Sequence, residues 1–286
     1  MTDLLERFGQ DLELRGFAER SVEAYVRAVK LLSEHYHKSP EFISEDELHR
    51  YFPYNKNIRK WARTTSTIAI CGIKHFYTLK CNWTTIKLVR PPKEKKLPPV
   101  LSRAEVRAIF NHVALDYHRA CLFTMYSLGL RLRETTHLQV SDIDSDCMFV
   151  HIRHGKGAKD RCVPLPHKTL SILREHWKTH RNPVLLFPAP GRGYNQLATT
   201  DKPLPDNSIQ IPFKQACRKA MINKPVAVRH LRHAYAVHLI EAGVDLRFVQ
   251  EYLGHSDPKT TMIYCRMINL KLAEPTAIIN TLMDKI

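Results

Sequence analysis

The sequence lacks the features that mark several broad classes of protein. No stretch approaches the roughly eighteen consecutive apolar residues of a membrane helix, so we expect no membrane partner. The opening segment, MTDLLERFGQDLELRG, carries acids and no apolar core, so we expect no signal peptide. The seven cysteines are odd in number and never form Cys-x-x-Cys, which predicts neither a disulfide framework nor a thiolate metal site. These absences favour a reducing compartment, and we expect a cytoplasmic protein.

Acidic residues are fewer than basic residues in this chain. Asp and Glu number 28 against 44 Lys and Arg, a formal net charge of +16. Such an excess favours a polyanionic partner, and the alternative is a basic surface that maintains solubility. No Gly-x-x-x-x-Gly-Lys-Ser/Thr loop occurs, which agrees with our expectation that the protein uses no ATP and no small-molecule cofactor.

The sixteen histidines raise the question of a metal site. His233 and His238 are five residues apart, which does not place both on one helix face. His230 and His233 could chelate a metal, but no acidic or thiolate partner is near them in the sequence. We therefore expect no metal.

The excess of positive charge is concentrated in one segment. Residues 1–50 hold 7 Lys and Arg against 11 Asp and Glu, whereas residues 51–100 hold 11 against a single acid, Glu94. This asymmetry predicts a small domain with one face toward DNA and one toward solvent. The residues expected to contact DNA here are Lys56, Arg59, Lys60, Arg63, Lys74, Lys93, Lys95 and Lys96.

The first ninety residues are typical of a helical domain. Apolar residues recur at helical spacing at 4, 5, 8 and 12 and at 22, 25, 26, 29 and 32. Ser44 to Glu47 forms a capping box, and a longer helix after it is expected to bury Ile68, Cys71, Phe76 and Leu79. Residues 91–100, rich in proline and lysine, predict a stiff extended linker between domains 1–90 and 101–286.

The second domain is predicted to be mainly helical with a small antiparallel sheet. Ser102 to Glu105 is another capping box. Strands are expected over 147–153 and 161–165, joined by a turn at Gly155-Lys-Gly157. A long loop follows over 181–207, then helices near 208–221, 229–242 and 245–253. The fold class is thus mainly α, in two domains.

Several cations and one tyrosine of this domain could act together on a phosphodiester. Arg229 and Arg232 lie at i and i+3 on a predicted helix and share a face, and Arg131 follows an apolar helix. Arginine binds phosphate oxygens bidentately and stays charged. Metal-free cleavage also needs a nucleophile and an acid for the leaving oxygen. Each arginine alone is more often part of a surface salt bridge, so the interpretation depends on the ordered combination.

The order of these motifs resembles the tyrosine recombinase (phage integrase) family, including Xer-type and integron recombinases. Gly129-Leu-Arg-Leu-Arg-Glu134 is similar to its first box, and Gly155 to Arg161 is similar to its lysine hairpin. His230 to His238 is similar to its second box. Leu253-Gly-His-Ser-Asp-Pro-Lys-Thr-Thr-Met-Ile-Tyr264 is similar to its closing motif. The resemblance covers about residues 100–267, and the N-terminal region resembles the core-binding domain more weakly.

The resemblance implies a role for each matching residue. Tyr264 would be the nucleophile and His255 would hydrogen-bond the scissile phosphate. Lys156 would protonate the leaving 5′-oxygen, with Lys159 as the other candidate. The remaining residues it implies are Arg131 and Arg232 as phosphate clamps, Glu134 and His230 as supporting residues, and Lys159 and Arg161 as DNA contacts.

The resemblance also implies an activity and an assembly. The enzyme would cut and rejoin duplex DNA with inverted-repeat sites through a 3′-phosphotyrosine and a Holliday junction. It would act as a homotetramer whose two domains clamp DNA. The apolar tail beyond Tyr264, interrupted by Pro275, would contact a neighbouring protomer, and the alternative is a tail folded back on its own domain.

Two positions depart from the family pattern. Arg229 stands where His or Lys is usual, and arginine cannot accept a proton at neutral pH. Arg133 stands where a small residue is common. A transposase with the same chemistry, and a DNA-binding regulator with an inactive site, remain alternatives, the second favoured only by Arg229.

The predicted arginine pocket has a consequence for the nucleophile. Free tyrosine has a pKa of about 10, and Arg131, Arg229 and Arg232 would favour the phenolate. We therefore expect the pKa of Tyr264 to be lowered. Tyr235 and Tyr252 are expected to serve in packing.

Overall fold

The computed structural model describes residues 2–81, 98–153, 160–191, 196–255 and 257–269. The chain divides into two compact units, Met1–Lys95 and Lys96–Ile286, and the division falls within the segment 91–100. Several predictions fall outside the described residues. They concern Lys93, Lys95, Lys96, Lys156, Lys159 and the tail from Leu270 onward.

Over residues 2–81, the first unit contains four helices and one short 3₁₀ turn. The helices are α1 (Thr2–Leu14), α2 (Glu19–Tyr36), α3 (Glu45–Asn57) and α4 (Arg63–Lys80), with the turn at Pro40–Phe42. The predicted capping box opens α3, because Ser44 Oγ accepts from the Glu47 backbone N–H at 3.3 Å and Glu47 accepts from the Ser44 N–H at 2.9 Å. The helical prediction for this region is confirmed.

The face that α4 buries differs from the predicted one. Ile68 was expected in the core but is 45% exposed, whereas Ile70, Ile73 and Phe76 are buried. The reason is the close approach of α2, which meets α4 at Gly72. A Cβ added at Gly72 would lie 2.8 Å from the Cα of Tyr25, so only the face that carries Gly72 can pack there.

We expect Gly72→Ala to destabilise the first unit by about 1–3 kcal/mol, because the added methyl overpacks a helix–helix contact against backbone. Hydrogen exchange of the α2 and α4 amides in the full chain measures this loss. Gly9→Ala is the matched control, since its Cβ would meet only ordinary contacts at 3.6 and 3.7 Å. That control should be neutral or stabilising, because Ala favours helix over Gly. Equal protection in the two variants would contradict the packing argument.

The second unit contains eight helices and one small sheet in the described residues. The strands β1 (Ile143–Asp144), β2 (Phe149–Ile152) and β3 (Arg161–Pro164) form an antiparallel sheet in that order. Val150 pairs with both Ile143 and Val163. The helices are α5 (Arg103–Asn111), α6 (Asp116–Ser127), α7 (Leu132–Thr136), α8 (His167–His180), α9 (Asp206–Lys219), α10 (Arg229–Glu241), α11 (Leu246–Leu253) and α12 (Pro258–Asn269). The predicted fold class is confirmed, and the two-residue strand β1 was not foreseen.

Helix α6 forms the centre of this unit. It packs against α8, α9 and α10 and buries Cys121, Leu122 and Met125. Helix α10 in turn contacts α11 and α12. The end of α6, the start of α10 and the end of α11 therefore meet at one place. Across the described residues, the structure contains no helix long and apolar enough to span a membrane.

Candidate active site

A buried carboxylate, Glu134, lies at the centre of a cluster of three arginines. It accepts hydrogen bonds from the backbone N–H and the side chain of Arg131, at 2.8 and 2.6 Å. Arg161 donates two more, at 3.1 and 2.7 Å, and Arg232 lies 3.7 Å away. Glu134 is only 8% exposed. The cluster joins the turn before α7, strand β3 and helix α10 around one negative charge.

The same arginines bind backbone carbonyls at the ends of α6 and α11. Arg232 donates to Gly129 O at 2.8 Å and also to Leu253 O. Arg131 reaches Gly254 O at a longer 3.4 Å. These carbonyls lie where helices end and lack partners within their own helix. The interactions fix the position of Arg131 and Arg232 relative to the closing motif.

Gly129 allows this arrangement. Its φ is +62°, and a Cβ there would lie 2.4 Å from the ring of Tyr235. The chain can therefore turn directly under Tyr235 and present its carbonyl to Arg232. Tyr235 packs as predicted, and burial raises its pKa to about 12.

Arg161 has a different place from the predicted one. The sequence suggested a DNA contact, but its side chain is 7% exposed and pairs with Glu134. Its Nε also donates to Tyr252 O at 2.8 Å. We therefore assign Arg161 the role of tying β3 to α11, because its donors are used inside the protein.

The electrostatics keep Glu134 and Arg232 charged at neutral pH. Burial alone would raise the pKa of Glu134, but hydrogen bonds and attraction from Arg161, with hydrogen bonds from Arg131, lower it to about 2. Burial, and repulsion from Arg131, lower the pKa of Arg232 to about 9, still above neutral. Three arginines against one carboxylate leave a net charge of +2.

His255 follows the end of α11 and is held by α12. Its Nδ1 lies 2.9 Å from Thr261 Oγ1, and its backbone carbonyl accepts from Gln250 Nε2 at 3.2 Å. Burial, with the charges of Arg232 and Arg131, lowers the pKa of His255 to about 4. The ring is therefore neutral at pH 7 and can donate one hydrogen bond to a phosphate oxygen.

Tyr264 lies on α12 with its side chain buried, 2% exposed. The expectation of a lowered pKa was wrong: burial raises the pKa of Tyr264 more than Arg232 and Arg131 lower it. Of the three predicted arginines, Arg232 and Arg131 do act on the phenol, but desolvation of the phenolate outweighs them. Its ring lies nearly parallel to that of His255, with centroids 6.3 Å apart.

His233 is a residue of this site that the sequence argument considered only as a metal ligand. Its Nδ1 lies 2.7 Å from the hydroxyl of Tyr264. The signal available in the sequence was its spacing of three from His230, which places the two histidines on one face of the predicted helix. The metal expectation itself stays untested, although within the described ranges no group of three or more metal-binding side chains occurs.

The two remaining candidate residues, Arg229 and His230, lie in the first turn of α10 and differ in exposure. Arg229 is exposed, whereas His230 is buried. His230 Nδ1 accepts from the Ala227 backbone N–H at 2.8 Å, so it stabilises the entry into α10. Of these two residues, Arg229 is the one that is open to a ligand.

We expect Glu134→Gln to cost about 3–5 kcal/mol at pH 7, because it leaves buried arginines without their anion. The native carboxylate has a lowered pKa, so its contribution is complete above the ordinary value of 4.5 and is lost as the pH falls toward about 2. That contribution is about 3 kcal/mol, and the two proteins should converge in stability as the pH falls. Urea unfolding of the full chain, with α10 amide exchange assigning the transition, measures both effects.

Glu175→Gln is the control for this prediction. Glu175 forms an exposed pair with Lys178 at 2.7 Å, so its loss should change stability by less than about 1 kcal/mol. A Glu134→Gln variant as stable as the native chain at pH 7 would show that the arginines do not depend on this carboxylate.

Comparisons with known proteins agree with this geometry. Residues 99–269 match the phage integrase family, and residues 4–86 match the N-terminal SAM-like domain of phage integrases. The chain is 37% identical to the integrase/recombinase y4qK of Sinorhizobium fredii over 279 residues, covering 95% of this chain and 87% of that protein. It is 31% identical to tyrosine recombinase XerD of Staphylococcus aureus over 281 residues, covering 92% and 94%.

A solved structure shows the same fold at lower identity. The lambda integrase tetramer bound to a Holliday junction superposes with a TM-score of 0.73 at 17% identity, covering 92% of this chain and 76% of that one. The family match spans more than half of the chain and includes every described element of the arginine cluster. The chain therefore belongs to the phage integrase family, as a tyrosine recombinase of the Xer/integrase type that cleaves and religates DNA.

Proposed function

We propose that this chain is a site-specific recombinase in which Tyr264 attacks a DNA phosphate held by Arg131 and Arg232. The observation that carries the proposal is the buried phenol of Tyr264, on which Arg232 and Arg131 act, together with the net charge of +2 of their cluster. A hydroxyl and a positive pocket at one point suit attack on a phosphodiester.

Arg131 and Arg232 would bind the phosphate in different ways. Arg131 is 31% exposed and can reach a phosphate from solvent. Arg232 is buried and fixed by two carbonyls, so its remaining N–H groups have a set direction. Donors that are already oriented stabilise the charge that grows on the non-bridging oxygens without reorganising. The neutral His255 adds one donor on the side of α12.

The bonds broken and formed balance without an external energy source. The Tyr264 oxygen bonds to phosphorus, the bond to the 5′-oxygen breaks, and the 3′-phosphate stays on the tyrosine. Lys156 is our candidate for protonating the 5′-oxygen, with Lys159 as the other candidate. Attack by a 5′-hydroxyl of another strand reverses these steps and rejoins the DNA. The phosphodiester is conserved as a phosphotyrosine ester, so the scheme uses neither ATP nor metal.

The partner and assembly follow from the family and from the charge of the chain. The lambda integrase structure is a tetramer on a Holliday junction, and we propose the same assembly here, on duplex DNA with inverted-repeat sites in the cytoplasm. In the first unit, Lys56, Arg59, Lys60 and Arg63 are exposed around the connection between α3 and α4. Lys74 is half-buried on α4. We propose that this basic connection contacts the DNA backbone.

Two alternatives make different demands on the same site. A transposase would use the same chemistry on the ends of a mobile element, and inverted repeats around a short spacer beside the gene would favour the recombinase. A regulator with an inactive site would bind DNA without reacting. The assembled arginine cluster and the buried tyrosine favour an active enzyme over a regulator.

We expect Tyr264→Phe to bind DNA normally and to form no covalent adduct, because it keeps the buried ring and removes only the oxygen. The probe is a nicked duplex, selected by gel shift from a pool with two inverted randomised half-sites around a short spacer. The nick lets the leaving fragment diffuse away, so the adduct accumulates and is counted on a denaturing gel.

Tyr252→Phe is the control for the nucleophile. Tyr252 packs beside Phe248, with ring centroids 6.3 Å apart, and its variant should form the adduct at the native rate. Adduct formation by Tyr264→Phe would mean that another residue is the nucleophile. Loss of the adduct in both variants would mean that the substitutions disturb the fold, and not that the nucleophile was removed.

DNA binding should weaken steeply with salt. If about six to ten phosphates are neutralised, affinity falls by roughly three to five decades between about 50 and 200 mM salt. Lys60→Ala should reduce the slope of log affinity against log salt by about one. Gel-shift titrations on the selected duplex measure that slope.

Lys30→Ala is the control for the salt dependence. Lys30 is also exposed, but it lies on α2, at 4.0 Å from Glu34. The slope should not change in this variant. An equal change in both variants would contradict a DNA-facing role for the α3–α4 connection.

A further inference from the structure

The reaction leaves one proton without an acceptor, the proton on the Tyr264 hydroxyl. Arg229 stands where the family has His or Lys and cannot take it. Its side chain is also exposed, whereas Tyr264 is buried. The acceptor must therefore come from another side chain within hydrogen-bond reach of the phenol.

His233 meets that condition. The distance from its Nδ1 to the Tyr264 oxygen is 2.7 Å, which is a short hydrogen bond between α10 and α12. The two rings are tilted by 52° with centroids 5.7 Å apart, so the contact is between polar atoms and not between ring faces. His255 is a weaker candidate, because its Nδ1 is engaged by Thr261 and its ring lies nearly parallel to the phenol.

The surroundings of His233 keep it neutral and oriented. Its ring packs edge-on against His230 at 5.6 Å between centroids, and His230 is itself bound to Ala227. Burial, with repulsion from His230, Arg232 and Arg229, lowers the pKa of His233 to about 4. A neutral imidazole has one ring nitrogen that can accept a proton.

We propose that His233 is the general base of this enzyme, accepting the Tyr264 proton at Nδ1 as the phenol oxygen attacks phosphorus. The proposal rests on the proposed role of Tyr264 as nucleophile. In the forward step the proton moves from the Tyr264 oxygen to Nδ1, and the departing 5′-oxygen takes its proton from the acid. In religation the imidazolium returns the proton to the Tyr264 oxygen as the ester bond breaks. For Nδ1 to accept this proton, the neutral His233 ring must carry its own proton on Nε2.

The arrangement also explains how Arg229 is compatible with activity. The base and the phosphate clamp are separate residues on one helix, since Arg232 holds carbonyls at its end of the site and His233 faces α12. Arg229 can then bind the phosphate and does not have to transfer a proton.

The test compares two histidines that make the same kind of contact. His233→Asn keeps an acceptor oxygen near the position of Nδ1 but cannot take up a proton. His238→Asn is the matched control: His238 also lies on α10 and its Nδ1 is 2.8 Å from a tyrosine hydroxyl, that of Tyr126. We expect His233→Asn to lower the single-turnover rate of adduct formation by about 10²–10⁴, with unchanged DNA binding. The control should stay near the native rate.

The pH profile separates proton transfer from packing. In the His233→Asn variant the rate should rise about tenfold per pH unit from about pH 6 to 9, because only hydroxide or pre-formed phenolate then serves. The native profile should be flatter over that range. The charged and titratable groups that face His233 or the Tyr264 phenol are unchanged by this substitution. They are Arg229, His230 and Arg232 on α10, Arg131 before α7 and His255 after α11.

A sulfur-bridged substrate separates the base from the acid. With a 5′-bridging phosphorothiolate in the selected nicked duplex, the leaving thiolate needs no proton. This probe should restore the rate of a Lys156→Ala variant and should leave His233→Asn slow. If His233→Asn is poorly folded by α10 amide exchange, His233→Ala with added imidazole is the second test, and imidazole should raise its rate.

The possible results are distinct. A native rate and profile in His233→Asn, with no adduct in Tyr264→Phe, would overturn the base and leave the nucleophile in place. A faster His233→Asn would show that the hydrogen bond restrains Tyr264, which also overturns the proposal. If the sulfur-bridged duplex restored the rate of His233→Asn, His233 would act in protonating the leaving group, and the proposal would be overturned. An adduct in Tyr264→Phe would instead refute the proposed function itself.

Discussion

The buried charge of Glu134 is the interaction on which the site depends. Three guanidinium groups in one partly buried volume would repel one another, and their desolvation would cost several kcal/mol each. One carboxylate that accepts from two of them and lies 3.7 Å from the third offsets that repulsion. It also leaves a net charge of +2, which a phosphodiester only partly neutralises. The same residue thus stabilises the folded unit and sets the charge that the DNA meets.

Helix α10 then distributes the roles by its geometry. Successive residues are turned by about 100°, so Arg232 and His233 diverge, whereas residues three apart, such as His230 and His233, share a face. Arg229 faces solvent and His230 fixes the helix entry. Arg232 binds the carbonyls of Gly129 and Leu253, and His233 reaches α12. A single helix therefore supplies both the proposed phosphate clamp and the proposed base at fixed separation.

The sequence predicted the local features well and the long-range ones poorly. Capping boxes at Ser44 and Ser102, helix α10 and the glycine that ends α11 are encoded within a few residues, and all of them are present. The burial of Ile70 in place of Ile68 depends on how closely α2 approaches. Arg161 meets Glu134 across 27 positions and Tyr252 across 91. No rule of sequence spacing connects such distant partners. Arg161 was therefore predicted to contact DNA, although it pairs with Glu134 inside the protein.

The raised pKa of Tyr264 was missed for the same reason, because burial depends on long-range packing. Counting arginines predicts a stabilised phenolate, but the count omits desolvation, which only the folded structure determines. A buried phenol with a raised pKa holds very little phenolate at neutral pH, so charge alone cannot activate it. An acceptor in direct contact removes the proton as the oxygen attacks, which avoids a free phenolate in a dry site. The short bond between His233 and Tyr264 is the contact that such a mechanism requires.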